Sequence, residues 1–338
     1  MRFQNVCIES MGHVLPPNVV QSTDLEDQMQ PVMTRLGFPR GMIEKLTGVR
    51  ERRWWDPNTQ PSQAAALAGE RALEAAGISP SLVQVNVNGS VSRDYLEPAT
   101  ATLVGGKLGL GRHCMNLDVN NACLGFLNGM LVVANMIELG QVDYGLVTAA
   151  EITREGVQAT MRRMMESNVN ADEFRQNFAS FTLGSAAVAT VLCRKELSRS
   201  QHVLKGAAFR SATEYNYLCV ANHVEMRADA HGLLHHGVDC AVDTWPYAAE
   251  VMGWRDDSVD EVVFHQVGMA HFAKTFNRLG LPMDKALVTF PYLGNTGPVS
   301  VPVTVAIGEA QGRITKGKEV AMFGVGSGLG SIILGVQW

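Results

Sequence analysis

The chain has 338 residues, 46% hydrophobic and 18% charged, and its 33 acidic against 28 basic side chains leave a formal charge of −5. This is a globular composition, long enough for two packed cores, and without a block of clustered Lys and Arg it excludes a surface that tracks nucleic-acid phosphates. The six cysteines, at 7, 114, 123, 193, 219 and 240, include no C-x-x-C pair, which predicts reduced thiols and a cytoplasmic address.

Arg2, Glu9, His13 and the Pro16-Pro17 pair interrupt any apolar export signal. In chain order, an Ala-rich helical pattern over Pro61–Ala76 stops at Gly77, and an apolar strand pattern over Val83–Val87 reaches Gly89, twelve residues after Gly77. A second strand pattern, Met115–Val119, leads through Asn120–Ala122 into a helical pattern from Cys123 to Leu139 that stops at Gly140, before the strand pattern Tyr144–Thr148. Residues from about 151 to 180 are helical and charged and read as a cap inserted in the first half. Ala186–Leu192 is again strand-like, and the polar Arg194–Gln201 places a boundary near residue 195, giving halves 1–195 and 196–338.

The second half repeats the plan of the first. The stretch ending at Gly253 precedes the strand pattern Glu261–Phe264, and His265 is the twelfth residue after Gly253. The strand pattern Leu287–Phe290 then leads through Gly294-Asn-Thr-Gly-Pro298 into the helical pattern Val299–Ala310, which stops at Gly312 before the strand Glu319–Phe323. Asn295 precedes Gly312 by seventeen residues, as Cys123 precedes Gly140. The last nineteen residues, Val320 to Trp338, carry no charge, but Gly324, Gly326, Gly328, Gly330 and Gly335 make them strand, tight turn and strand rather than a membrane anchor.

Near-continuous apolar strands alternating with helices predict α/β sheets covered on both faces, with sites at the C-terminal ends of strands. In a duplicated α/β chain, equivalent strand-to-helix corners meet around a pseudo-twofold axis. Cys123, His265 and Asn295 are therefore predicted to converge. At a helix N-terminus the dipole and free N–H groups lower a thiol pKa, which singles out Cys123 as nucleophile. His265 closes a buried strand where an imidazole can exchange protons, whereas Asn295 taken alone reads as a turn residue. Cys7, Cys193 and Cys219 read as core filler.

The Gly324–Gly330 turn brings backbone amides within reach of a developing oxyanion and fits no G-x-G-x-x-G frame. Gly312–Lys318 has Glu319 where a P-loop needs Ser or Thr, and His231, His235 and His236 lack the Glu of a zinc-protease motif, so neither nucleotide hydrolysis nor a metal site is predicted. Asn88-Gly-Ser90 is a chance glycosylation sequon.

Asn-Ala-Cys123-Leu-Gly, Phe-His265-Gln and Gly-Asn295-Thr-Gly-Pro, in that order, resemble the Cys-His-Asn triad of thiolase-fold ketoacyl synthase III enzymes, as do Thr47-Gly-Val-Arg-Glu-Arg-Arg53 and the Gly-Ser-Gly-Leu turn near the end. The resemblance spans the chain. It implies a five-layered α-β-α-β-α fold, two duplicated α/β halves with pseudo-twofold symmetry. Ser90-Val-Ser-Arg-Asp-Tyr-Leu-Glu97-Pro-Ala-Thr is similar to the loop of OleA-type acyl-CoA condensing enzymes, homodimers in which that glutamate reaches the partner's active site and whose product leads to long-chain olefins.

What this implies is a transferase that joins two fatty acyl-CoA molecules by non-decarboxylative Claisen condensation. Cys123 would carry the acyl group, and Glu97 would remove the α-proton of the second substrate. The backbone amides of Cys123 and Ser327 would serve the acyl-transfer oxyanion, and His265 with Asn295 the enolate oxygen. Substrates are coenzyme A thioesters, with no further cofactor and no metal. Met42 and Leu46 stand where ketoacyl synthase III enzymes carry a Trp and an Arg to grip coenzyme A, which leaves Arg50, Arg52 and Arg53 as candidates for that task. The competing reading is a decarboxylative 3-oxoacyl synthase III using malonyl thioester. A thiolase needs a second active-site cysteine late in the chain, and the last here is Cys240. A non-catalytic partner subunit on the same fold would have lost the nucleophile.

Overall fold

The computed structural model describes residues 1–166, 168–221, 226–255 and 257–338. Nine strands form the main sheet: β1 (Val6–Val14), β2 (Val85–Asn88), β3 (Met115–Asp118), β4 (Tyr144–Glu151), β5 (Ala186–Arg194), β6 (His202–Ser211), β7 (Glu261–Phe264), β8 (Glu319–Gly326) and β9 (Gly330–Gln337). Their spatial order is β7-β8-β9-β6-β1-β5-β4-β2-β3. The middle pair, β1 and β6, is joined antiparallel through Cys7↔Val203 and Ile8↔His202.

Outward from that pair the halves match. β5 and β9 are the next strands and β4 and β8 follow, all antiparallel, before β2 and β7 add in parallel. The final position differs. The first half adds β3 parallel to β2, whereas the expected strand Leu287–Phe290 is replaced by an isolated bridge between Val262 and Ala286 and a helical turn at Phe290–Leu293. The cause is Gln266, whose Oε1 accepts from the Thr289 and Phe290 amides at 3.0 and 3.2 Å and whose Nε2 donates to the Leu287 carbonyl at 3.2 Å. One buried side-chain amide thus satisfies backbone groups that a ladder would pair.

Among the described residues six helices cover this sheet: α1 (Pro61–Ala76), α2 (Thr100–Leu108), α3 (Gly125–Glu138), α4 (Ala230–Met252), α5 (Met269–Leu279) and α6 (Ser300–Ala310). Small residues of α1, Ala64, Ala68 and Ala72, lie on Ala187, Ala189 and Val191 of one outer face. On the other outer face Met252, Phe272 and Phe276 pack against Phe264, Phe323 and Ile333. Between the two half-sheets, Phe126, Met130 and Val133 of α3 share a core with Val301, Val303 and Val305 of α6. The layers are therefore α-β-α-β-α, with α6 buried on nearly every side and α3 half-buried along Asn128, Leu131, Val132, Asn135 and Met136. The duplication extends to the helix ends: Gly77 and Gly253 close α1 and α4 at φ +61° and +70°, and Gly140 and Gly312, both at φ +69°, follow α3 and α6.

The cap of the first half consists of helices Arg154–Glu166 and Ala171–Asn177, whose Met161, Met164 and Phe174 pack on Leu25, Met29, Ile43 and Trp54. The uncharged C-terminal segment is the β8–β9 hairpin, and among the described residues no helix is long and apolar enough to cross a membrane. All six thiols are free.

Candidate active site

Cys123 sits on the corner between β3 and α3. The preceding Ala122 has φ +44°, an unusual conformation for a residue with a side chain, and the helix begins at Gly125. The corner is tightly held, since a Cβ on Gly89 would come within 2.6 Å of the Gly125 carbonyl carbon. From the opposite half, a Cβ on Gly326 would lie 2.9 Å from Leu124 Cγ and 3.5 Å from the Cys123 amide nitrogen. The absence of side chains there lets the turn containing Ser327 close over the nucleophile's backbone.

The thiol is not depressed by a helix terminus. It is partly accessible yet deeply set, and burial, aided by the charges of Cys219 and Glu151, pushes its pKa up to about 12. One residue, Leu124, separates Cys123 from the first helical residue, and desolvation of the deeply set thiol outweighs the dipole.

His265 directly follows β7, and its amide donates to the Phe323 carbonyl at 2.8 Å, placing it beside the strand that leads to Gly326. The ring is 3% exposed, and its Nδ1 lies 2.5 Å from Ser300 Oγ at the start of α6. Burial, with a smaller contribution from the nearby His271, lowers its pKa to about 3, so the imidazole is neutral at pH 7. Burial likewise holds His271 at about 4.

Asn295 lies in the turn just before α6. Its amide donates to the Thr182 carbonyl and its carbonyl accepts from Gly184, both at 2.9 Å, which fixes the turn against the first half. The side-chain Oδ1 accepts from the Gly297 amide at 3.0 Å, which fixes the orientation of the carboxamide. A Cβ on Gly297 would touch Glu151 Cγ and Cδ at 3.6 and 3.8 Å. Glu151 in turn acts electrostatically on Cys123. The corners of both halves thus adjoin through Gly326, Ser300 and Glu151.

Glu97 belongs to the irregular stretch between β2 and α2 and is exposed in the single chain. The stretch is pinned at its root by Glu151, whose carboxylate accepts from the Val91 amide at 2.7 Å, the Ser92 amide at 3.2 Å and Ser92 Oγ at 2.8 Å. Asp94 accepts from Ser62, and Asp118 caps α2 through Thr100 and Ala101. Beyond these anchors Tyr95 and Leu96 are 61% and 78% exposed. Burial pushes the Glu151 pKa up to about 7 against these hydrogen bonds.

Of the three arginines, Arg50 is exposed and Arg53 half-buried, but Arg52 is completely enclosed and donates to the Phe181 carbonyl at 2.6 Å. Burial lowers its pKa to about 10. Arg52 supports the floor of the Asn295 turn, within 3.3 Å of a Cβ on Gly294, and does not face a substrate phosphate. The sites of Met42 and Leu46 border an apolar groove of about 520 Å³ that also contains Phe38, Phe174 and Phe178, with Arg175 and His231 on its rim. His235, His236 and Asp239 bring three ligand atoms within 4.8 Å, but Asp239 is already paired with Arg278 at 2.8 Å.

Sequence reasoning singles out neither Ser300, Gln266, His271 nor Glu151. Only Glu151 carries a usable sign, a charged residue ending an otherwise apolar strand.

Residues 56–201 match the thiolase N-terminal domain and residues 249–338 the C-terminal part of 3-oxoacyl-[acyl-carrier-protein] synthase III. The chain is 40% identical over 338 residues to the acyl-CoA:acyl-CoA alkyltransferase of Xanthomonas campestris pv. campestris, covering all of both chains. It is 37% identical over 350 residues to the enzyme of the same name from Shewanella oneidensis, again with full coverage of both. The crystal structure of Xanthomonas campestris OleA with bound lauric acid and lauroyl-CoA superposes with a TM-score of 0.97 at 39% identity, covering 99% of this chain and 100% of that one. Its cerulenin-bound form gives 0.98 at 40% identity, over 100% and 98% of the two chains. Duplicated layers, shared corners and full-length similarity agree: the chain belongs to the OleA family of acyl-CoA:acyl-CoA alkyltransferases, thioester-condensing enzymes of the thiolase fold.

Proposed function

We propose that this chain joins two fatty acyl-CoA molecules by non-decarboxylative Claisen condensation, with Cys123 as the acyl carrier. What supports the reading is that Gly326 packs on the Cys123 corner, that Ser300 holds His265, and that Gly297, next to the Asn295 turn, lies against Glu151. Solved variants of Xanthomonas campestris OleA replace one cysteine, one glutamate and one histidine, at the sequence spacing that Glu97, Cys123 and His265 have here.

In the first stage the Cys123 sulfur attacks the thioester carbonyl, the bond to the coenzyme A sulfur breaks, and the thiol proton passes to the leaving thiolate. A thiol at rest with a neutral imidazole nearby suits this transfer better than a permanent ion pair. The Cys123 and Ser327 amides stabilise the oxyanion. In the second stage Glu97 removes an α-proton from the second acyl-CoA, whose carbonyl oxygen, now an enolate, is held by His265 and Asn295 Nδ2. The carbanion attacks the acyl-enzyme, forming the carbon–carbon bond and releasing the Cys123 sulfur, which regains a proton. The product is a 2-alkyl-3-oxoacyl thioester, or the acid after hydrolysis.

Glu97 serves the partner's site in a homodimer. Support comes from its solvent-facing loop, the exposed Val91, Tyr95, Leu96 and Met115 around it, and the position of β3 at the end of the sheet. Arg50 and the groove beside Met42 and Leu46 receive the coenzyme A end. Six free thiols fit a cytoplasmic protein, and a long-chain product fits a place in hydrocarbon synthesis. Incubating the purified protein with one fatty acyl-CoA and no malonyl donor tests the reading by mass spectrometry. A coupled product of about twice the chain length is expected. Free fatty acid alone, or turnover only with malonyl thioester and release of CO₂, would overturn it.

A further inference from the structure

Glu151 has no place in the chemistry above, yet it is a carboxylate only 5% exposed at the base of the site. Burying such a group is unfavourable unless it is fully hydrogen-bonded, and among the described residues the donors come from a single source. They are the Val91 amide, the Ser92 amide and the Ser92 hydroxyl, all in the stretch that ends at Glu97. Ser92 Oγ also accepts from the Ile152 amide at 3.0 Å, and Ser90 Oγ from the Ala150 amide at 2.9 Å, so the loop root is locked to the end of β4. The other flank of Glu151 lies against Gly297 in the turn that holds Asn295.

We propose that Glu151 is a positioning residue: it fixes the root of the loop that presents Glu97, and through its contact with Gly297 it sets that loop relative to the protomer's own active-site turn. This inference rests on the reading that Glu97 acts as base in the partner's site. A carboxylate does this where an amide cannot. Both of its oxygens accept, whereas the NH₂ of a glutamine would face the Ser92 amide donor to donor. Beyond Asp94 the loop makes few contacts before Thr100, so its course depends on these anchors. A shift of about 1 Å in a catalytic group costs on the order of a hundredfold in rate.

The test separates the two half-reactions and then the two protomers. In the Glu151→Gln homodimer, acyl-enzyme formation on Cys123 is expected within about threefold of wild type, while formation of the coupled product falls about a hundredfold. Equal loss of both half-reactions, or no loss of coupling, would overturn the proposal.

Co-expressed, differently tagged chains then give mixed dimers of Glu151→Gln with Cys123→Ala. In these the one remaining Cys123 thiol belongs to the Glu151→Gln chain and is served by Glu97 of the Cys123→Ala chain, whose loop keeps its anchor. Coupling is expected to return to about half the wild-type level per dimer, one working site of two. A mixed dimer as inactive as the Glu151→Gln homodimer would mean that Glu151 acts on its own thiol, and the proposal would fail.

A separate pair, Glu97→Ala with Cys123→Ala, tests the underlying reading. If it does not recover, Glu97 does not act across the interface, a result distinguishable from failure of the Glu151 pair alone. Should Glu151→Gln not fold, Ser92→Ala removes one anchor hydrogen bond and is expected to lower coupling severalfold with the same pattern of recovery. Its coupling unchanged would count against the proposal.

Discussion

His265 Nδ1 and Ser300 Oγ stand 2.5 Å apart, so the imidazole is oriented by a hydroxyl on the first turn of α6 and not by a carboxylate. Burial keeps the ring neutral, and in the tautomer in which the Ser300 hydroxyl donates to Nδ1 the ring's own proton sits on Nε2. A neutral ring in that tautomer can donate to an oxygen that gains charge. Ser300→Ala is expected to lower kcat for coupling about tenfold with KM little changed, measured by coenzyme A release at saturating substrate. An unaltered kcat would remove the orienting role.

Cys123→Ala is expected to abolish covalent labelling. Incubated with labelled acyl-CoA and analysed as intact protein, it should show no acyl adduct where wild type shows one. An adduct of the same mass on the variant would place the acyl group on another side chain.

Glu97→Gln separates carbon acidity from acyl transfer. The acyl-enzyme is expected to form at a near-normal rate, while the coupled product and exchange of the substrate's α-hydrogen with deuterated water both fall about a hundredfold or more. Retained α-exchange would identify a different base.

The half-buried His271 predicts a specific pH dependence of stability. Its folded pKa of about 4 lies below the ordinary 6.5, so as the pH falls through 6.5 the unfolded chain takes up a proton that the folded chain refuses. The contribution is fully present above pH 6.5 and is lost as the pH falls towards 4, by at most about 1.4 kcal/mol per pH unit. Glu151 acts oppositely, because its pKa, raised from 4.5 to about 7, removes stability as the pH rises between those values. A comparison with His271→Asn isolates the first effect. Denaturant unfolding between pH 5 and 6.5 should show wild-type stability rising with pH more steeply than the variant's. Parallel lines would mean that the ring protonates freely in the folded protein.

Gln266→Leu keeps the volume but leaves the Thr289 and Phe290 amides without acceptors. A loss of about 2–4 kcal/mol is expected in denaturant unfolding. Loss below 1 kcal/mol would show that water or a shifted backbone replaces the amide.

Much of this architecture is legible in the sequence because it rests on regular apolar periods and on glycines that close helices. Gly77 and Gly253, Gly140 and Gly312 mark equivalent helix ends, and counting from them places His265, Cys123 and Asn295 on matching corners. What the pattern misses is carried by side-chain hydrogen bonds between distant segments. The apolar run at Leu287–Phe290 reads as a strand because nothing local shows that Gln266 satisfies its backbone. The thiol of Cys123 reads as depressed because a helix follows it in sequence, whereas the later helix start at Gly125 and the surrounding protein become apparent only in three dimensions. Arg52, one of three adjacent arginines, looks like its neighbours in sequence, yet strand alternation turns it inward.

The asymmetry at the two ends of the sheet has a further consequence. Beyond β3 the row of backbone donors and acceptors has no strand beside it among the described residues, while at the far end Ala286 and the turn after it close off β7. Such a chain offers one docking rim and one sealed rim. In the proposed homodimer, two copies meeting at the β3 rim would occupy both unpaired edges and leave little from which a filament could grow.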